Sequence, residues 1–514
     1  MTIVAEKEPE VTTPAEPETA PAAPPGGNQA RRIVHNILTL SGTQALTWLL
    51  AFAVMRYLPG YAGDVGLGQL TLAGSYTAFF NLLVTIGSGS VVVRDVARDN
   101  DRDGDYLVAA CLQRLTFCVV LGALTPLVVH VLNYAPIVRT FVYVSVAFSF
   151  IGHVTGAVSE VLRGREKIPR QSLATVLEKV MSTTAVLTSI YLRLPLWCII
   201  VSYGVGSFAS LTVLLPAIRG RVPRPRRRHI GLARQIVVSA LPFFTTELFV
   251  TIYSQGYPQI LDKFASTASI GWYGMVTRLF GTSLFIPGII TGALFPTITR
   301  MRVTNPDVVP KMAQTLIRLI IIGAVPVASF LVLTPGEIIK ILHYPDSFRN
   351  AIPVLVLFGV GLVLWFLSIP IGMLLTVYDR QKELSKATAV AAFAVLPIGS
   401  GLVHATQTYF QNGAIGAAVS HILIEMFLLS CYARLLPKEL LPARFLLRHG
   451  TFVLLSAAPM AVVLLLLRAY ISPLATLLMV LPMTVVFLVL CYVTRCIVPE
   501  DLAIVRNALQ NRRA

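Results

Sequence analysis

Fourteen apolar runs of spanning length follow one another from Ile33 onward, at about 34–57, 66–90, 107–131, 139–161, 172–192, 195–218, 236–257, 268–298, 313–335, 351–377, 386–407, 414–435, 451–468 and 473–494. A helix of about 20 apolar residues crosses a hydrocarbon core. With no water there, each crossing segment must satisfy its backbone groups internally. The expected fold is therefore an all-α polytopic membrane protein of about 14 transmembrane helices. Composition agrees: 55% of residues are hydrophobic and 13% charged, with a mean hydropathy of +0.72, too apolar for a soluble multidomain enzyme.

Lys and Arg fall almost wholly in alternate connections. One side holds Arg31 and Arg32, then Arg94, Arg98 and Arg102, then Arg163, Arg165, Lys167 and Arg170, then the run RGRVPRPRRRHIGLAR from Arg219 to Arg234. It continues through Arg300, Arg302, Lys311, Arg380, Lys382, Lys386, Arg434, Lys438, Arg444 and Arg448 to Arg495, Arg506, Arg512 and Arg513. The other side holds only Arg56, Arg139, Arg193, Lys263, Lys340, Arg349 and Arg468. Because basic loops stay in the cytoplasm, both termini are expected there, in a multi-pass protein of the cell (cytoplasmic or inner) membrane. The net charge of +17 is thus explained by topology and does not imply nucleic acid.

Residues 1–30, rich in Pro, Ala, Thr and Glu without aromatics, read as a disordered cytoplasmic tail. Glu6, Glu8 and Glu10 precede any apolar run, which is unlike a secretory signal. Val65-Gly66 and Gly68 at the start of the second run resemble Ile270-Gly271 at the start of the eighth. An offset of six helices preserves orientation, so two parallel six-helix repeats are expected, with the substrate path between them. The divisions are an N-terminal lobe 31–218, a basic cytoplasmic linker 219–235, a C-terminal lobe 236–440, helices 13 and 14 over 441–497, and a cytoplasmic tail 498–514.

The stretch from Gln259 to Arg300 places Arg278 deep within an apolar run, together with Gly281, Gly288, Gly292, Pro287 and Pro296. A cation at that depth costs roughly 2.5 kcal/mol or more unless it meets a partner or water. The glycines and prolines loosen the helix, so a bendable, cavity-lining element is expected. Other intramembrane candidates are Asn36, Gln44, Arg114, His153, Glu178, Lys179, Glu247, Gln255, Arg318, His421 and Glu425. Glu247, with Gln255 two turns later on roughly the same face, suits a coupling-ion site, and Glu178 is a second carboxylate for that role. Glu178 and Lys179 could equally pair with neighbours, Lys179 snorkelling. Arg318 and Glu425 are placed at interfaces, and His153 and His421 as hydrogen-bonded packing residues. The six cysteines show no metal or redox spacing. DNDRDGD, residues 99–105, lacks the terminal Glu of a calcium loop and reads as a solvated turn. No metal or cofactor site is expected. No nucleotide-binding loop of the Walker type occurs, so an ion gradient or the membrane potential would drive transport.

Four segments carry a likeness: YLPGYAGDVGLGQLTLAGSYTAF followed by Arg94, ILDKFASTASIGWYGMVTRL with ALFPTITR, EIIKILHYPDSFRNAIPVLVLFGVG, and GAIGAAVSHILIE. Through them residues 31–497 resemble the oligosaccharide flippases of the MOP superfamily, the Wzx-type polysaccharide transporters. The resemblance implies two six-helix lobes in a V shape plus a terminal helix pair. It also implies translocation of a polyprenyl-diphosphate-linked oligosaccharide from the cytoplasmic to the outer leaflet by alternating access, without enzymatic chemistry. Implied partners are the anionic lipid-linked glycan, membrane lipid, a coupling ion (H+ or Na+) and polysaccharide polymerase machinery. Lipid II flippases of the superfamily are similar in helix count and in Arg278-Leu279, but their first helix carries an Arg-Asp pair where Leu50 and Ala51 stand here. Multidrug antiporters of the superfamily, the other alternative, typically have twelve helices. On this reading Arg278, helped by Arg114 and Arg56, contacts the diphosphate, with Gln44, Asn36 and Gln255 as polar substrate-binding positions. A guanidinium suits that task because its planar fork meets two phosphate oxygens. The structural alternative pairs Arg278 with Glu247 or Asp262.

Overall fold

The computed structural model describes the backbone of residues 27–219, 226–467, 470–494 and 496, with side chains from 42 onward except at 100, 293, 443, 446 and 447. The ends of the chain and the middle of the basic linker, 220–225, lie outside the described residues. The described chain is helical and contains no strand. In order come α1 (Gly27–Thr85), α2 (Ser88–Arg98), α3 (Asp103–Val131), α4 (Pro136–Gly164), α5 (Ile168–Tyr191) and α6 (Trp197–Ile218). Then follow α7 (Arg227–Gln255), α8 (Tyr257–Phe264), α9 (Thr267–Ser283), α10 (Phe285–Thr304), α11 (Val309–Leu333) and α12 (Pro335–Ile341). The last are α13 (Ile352–Val377), α14 (Gln381–Phe410), α15 (Gly413–Leu435), α16 (Ala443–Leu467) and α17 (Pro473–Val493).

Among the described residues, 13 helical stretches are long and apolar enough to cross a membrane. The first, α1, folds back within itself at Gly63, whose φ of 66° and ψ of 180° suit only glycine. Counting that fold as two, the described residues hold fourteen candidate crossings, as many as the apolar runs. The long run through Arg278 is divided where expected: α9 stops at Ser283 and α10 starts at Phe285. Pro287 has no N–H to offer the carbonyl of Ser283, four residues back, so the ladder is interrupted there. Ser266 starts α9 cleanly, its hydroxyl accepting from the Ser269 amide at 3.3 Å.

The crossings form two six-helix lobes and a terminal pair. In the first lobe α4 and α5 pack on α6 and α1; in the second α11, α14 and α15 surround α13. The pair α16 and α17 sits against α11 and α12, with the Arg318 guanidinium 5.8 Å over the Phe445 ring. Side chains such as Phe52, Phe208 and Phe393 point outward, as they must where lipid is the solvent.

The lobes meet closely at the end opposite the basic connections. A methyl group added at Gly271 would lie 2.0 Å from the Asp64 carbonyl oxygen, and one at Gly68 would lie 2.1 Å from that of Thr267. Backbone therefore touches backbone between α1 and α9, an approach only glycine permits. Polar bonds close the same end. Arg56 donates to the Leu342 carbonyl at 2.6 Å and to His343 Nδ1 at 2.7 Å. The Tyr344 hydroxyl reaches the Met55 carbonyl at 2.6 Å, and Ser75 the Gln255 carbonyl at 2.6 Å. Tyr134 bonds Gln259, and Lys263 the Leu132 carbonyl.

At the basic end α7 joins the first lobe. Its Phe243 and Phe244 lie on Gly87. Here the expectation of a solvated acidic turn is corrected. Asp103 is buried and paired with Arg165, while Asp105 accepts from Arg228 at 2.9 Å and contacts His229 Nε2 at 3.0 Å. Asp105 clamps α3 to the start of α7 and Asp103 clamps it to the turn between α4 and α5, which is why they face inward.

Candidate functional site

Between the lobes lie two adjoining cavities. The larger, about 620 Å³, is walled by α1, α3, α4 and α6, with Asn81, Arg114, Ser149, His153, Glu160 and Tyr203, and receives Arg278 from α9. The smaller, about 400 Å³, is walled by α1, α5, α6 and α9, with Trp48, Lys179, Ser182, Thr183, Tyr203 and Thr277, and again Arg278. Arg278 thus stands at the junction. The helix explains this: Ile270–Val276 are wholly buried between the lobes, and one residue past Thr277 α9 emerges into open space.

Among the described residues Arg278 forms no hydrogen bond or ion pair. Asp262, its expected structural partner, pairs with Lys263 at 3.3 Å. Arg114 is the opposite case. It is 2% exposed, and its Nη2 donates to both Glu160 oxygens at 2.8 and 2.6 Å, with Nη1 on the His153 carbonyl at 3.3 Å. Its charge is met within the first lobe. Beside it Asn81 Oδ1, Arg114 Nε and His153 Nε2 are buried without a hydrogen-bond partner among the described residues.

The other candidates are dispersed. Arg56 is committed to Leu342 and His343 in the closed end and walls neither cavity; its reach fits the carbonyls exposed after α12. Gln255 lends its backbone carbonyl to the same closure, and Gln44 is exposed on α1 away from both cavities. Asn36 belongs to α1, but its side chain lies outside the description. Glu178 accepts a 3.5 Å bond from Ser207, a wall residue of the larger cavity, while Lys179 turns into the smaller one. Glu247 is exposed on α7 and within electrostatic reach of Glu160 across the lobes.

Sequence reasoning passed over Glu160, near the end of its run. The signal was Arg114 itself, since a mid-membrane arginine calls for a carboxylate on a neighbouring helix. The interfacial placement of Glu425 is also corrected. It is 2% exposed in the middle of α15 and takes a bond from Tyr253, whose hydroxyl accepts from Trp365 Nε1 at 3.0 Å. His421 packs there too, stacked on Tyr257 with centroids 4.8 Å apart and bonded to Tyr273 at 3.2 Å. Tyr253 of α7, itself held by Trp365 of α13, satisfies the carboxylate, so it needs no interface.

Two helical lobes that meet at one end beside cavities holding a cation are the architecture of a membrane transporter. The family model described as "Polysaccharide biosynthesis protein" matches residues 33–302, and the chain belongs to that family. Among solved structures it is similar to a lipid II flippase MurJ in an inward closed conformation, with a TM-score of 0.68 at 11% identity over 90% of this chain and 98% of that one. It is also similar to an inward-facing multidrug resistance MATE family transporter of the MOP superfamily, with a TM-score of 0.58 at 15% identity over 78% and 98% of the two chains. A third is the Vibrio cholerae MATE transporter VcmN in its bent form, with a TM-score of 0.50 at 13% identity over 79% and 99%. At these identities the likeness establishes the fold. No curated protein matches the chain.

Proposed function

We propose that the protein is a flippase that carries a polyprenyl-diphosphate-linked oligosaccharide from the cytoplasmic to the outer leaflet by alternating access, in the making of a surface polysaccharide. The observation that carries this reading is Arg278, unpaired among the described residues where two cavities join between the lobes. At an effective dielectric near 20, one ion pair at 4 Å is worth about 4 kcal/mol before desolvation, which favours an anionic guest. The larger cavity, with Asn81, Ser149 and Tyr203, suits hydroxyl-rich sugar. Transport involves no covalent step by the protein.

The one-sided Lys and Arg distribution orients both termini to the cytoplasm, which puts the closed end on the outer face. Glu247, facing Glu160 across the lobes, is the first carboxylate to test for a coupling H+ or Na+, with Glu178 second. Membrane lipid and polymerase machinery complete the proposed surroundings.

The test is depletion followed by leaflet-resolved analysis of lipid-linked glycans, then complementation. The cytoplasmic-leaflet glycan should accumulate and wild-type protein should clear it. Arg278→Ala should fold as wild type, within about 0.5 kcal/mol since no hydrogen bond or ion pair among the described residues is lost, yet lower flipping at least roughly tenfold, with Arg278→Lys intermediate. Accumulation of lipid II instead would make the protein a lipid II flippase. An unchanged glycan profile would point to a drug antiporter.

A further inference from the structure

We infer that Lys179 is the second cation of the anion site, so that the diphosphate of the substrate reaches both lobes at once, held by Lys179 on α5 and Arg278 on α9. The identity of the anion rests on the function proposed above; the pairing of the two cations rests on the cavity walls. Three cations line the two cavities, and they are not equivalent. Arg114 is held by both oxygens of Glu160. Lys179 and Arg278 make no hydrogen bond or ion pair among the described residues, and both wall the 400 Å³ cavity. Glu178 is an electrostatic neighbour of Lys179 but makes no hydrogen bond or ion pair with it among the described residues; its oxygen takes a bond from Ser207 in the wall of the larger cavity.

The rest of the smaller cavity offers little to compete. Ser182 donates to the Glu178 carbonyl at 2.6 Å, Thr277 to that of Tyr273 at 3.0 Å and Thr282 to that of Leu279 at 2.6 Å, so these hydroxyls are engaged with their own helices. Trp48, Val54, Met55 and Val186 add apolar wall beside Thr183 and Tyr203, and the two like charges repel across the cavity. An anion with charge on two phosphates matches the pair; a monophosphate satisfies one. Because α5 and α9 belong to different lobes, an empty cavity holds the lobes apart by repulsion and a diphosphate ties them together, which makes Lys179 the residue that distinguishes the two lipid phosphates.

The test uses the full-length protein in lipid vesicles and three probes: polyprenyl diphosphate, polyprenyl monophosphate of the same chain length, and inorganic diphosphate. Wild type should bind polyprenyl diphosphate more tightly than the monophosphate. Lys179→Gln should weaken diphosphate binding by roughly tenfold or more, with little change for the monophosphate. Lys179→Arg should restore most of the preference, which a merely misfolded variant could not do. If Lys179→Gln keeps the wild-type preference, Lys179 is not in the site, whatever the substrate. If inorganic diphosphate binds in a Lys179-dependent way while neither lipid binds, the cation pair stands and the lipid-linked reading falls. Failure of all three probes on wild type overturns both.

Discussion

Arg114 and Arg278 are both arginines in apolar runs, and the structure gives them opposite environments. Arg114 is 2% exposed and bound to Glu160, so removing either partner leaves a buried charge uncompensated, at about 3–5 kcal/mol. We predict that Arg114→Ala or Glu160→Ala sharply lowers the unfolding midpoint in detergent. The double change Arg114→Gln with Glu160→Gln should cost less than the two single changes summed. Unaltered stability of Glu160→Ala would show the pair to be dispensable. Tyr253 is a comparable case in the second lobe, since its hydroxyl serves buried Glu425 and Trp365. Tyr253→Phe should destabilise by about 1–3 kcal/mol, while Tyr409→Phe, whose hydroxyl is in the open, should match wild type in the same thermal assay.

The crossing of α1 and α9 brings backbone against backbone at the closed end. With the Asp64 carbonyl 2.0 Å from any added methyl, Gly271→Ala cannot be accommodated by a side-chain shift and must separate the helices. The expected outcome is a loss of roughly 1–3 kcal/mol together with faster labelling of an engineered cysteine at Thr77, in the larger cavity, by an impermeant reagent applied to the outside. Gly281→Ala on the same helix meets nothing within 4 Å and serves as the control. A labelling rate for Gly271→Ala equal to that control would mean the contact does not seal the cavity. The echo of Val65-Gly66 and Gly68 in Ile270-Gly271 was visible as a pattern, but a pattern does not say that Gly68 and Gly271 touch. The break at Leu284 was more legible, because Pro287 acts on its own helix.

The molecule as a whole is two lobes that meet at the end opposite the basic connections, with α7 reaching back to α2 and α3 at the basic end, and its direction in the membrane decides which leaflet supplies the cargo. An engineered cysteine at Tyr409, 81% exposed in the last turn of α14 at the loop into α15, should react with impermeant reagents from outside, and one at Arg226 only with permeant ones. The reverse pattern would invert the orientation. Asn412 in the same loop is a poorer probe, since it is buried and donates to the Asn350 carbonyl at 2.7 Å.

Crossings and their alternation were written in the chain alone, because hydrophobic length and loop charge act locally, segment by segment, on the cost of entering lipid. The presence of charge inside the membrane was equally plain. Which charges are satisfied was not. Arg114 meets a carboxylate 46 residues away, Arg56 a carbonyl 286 residues away, and Arg278 and Lys179 meet open cavity. A partner is set by which faces of distant helices are pressed together, and that is decided when the lobes pack, not by any spacing along the sequence.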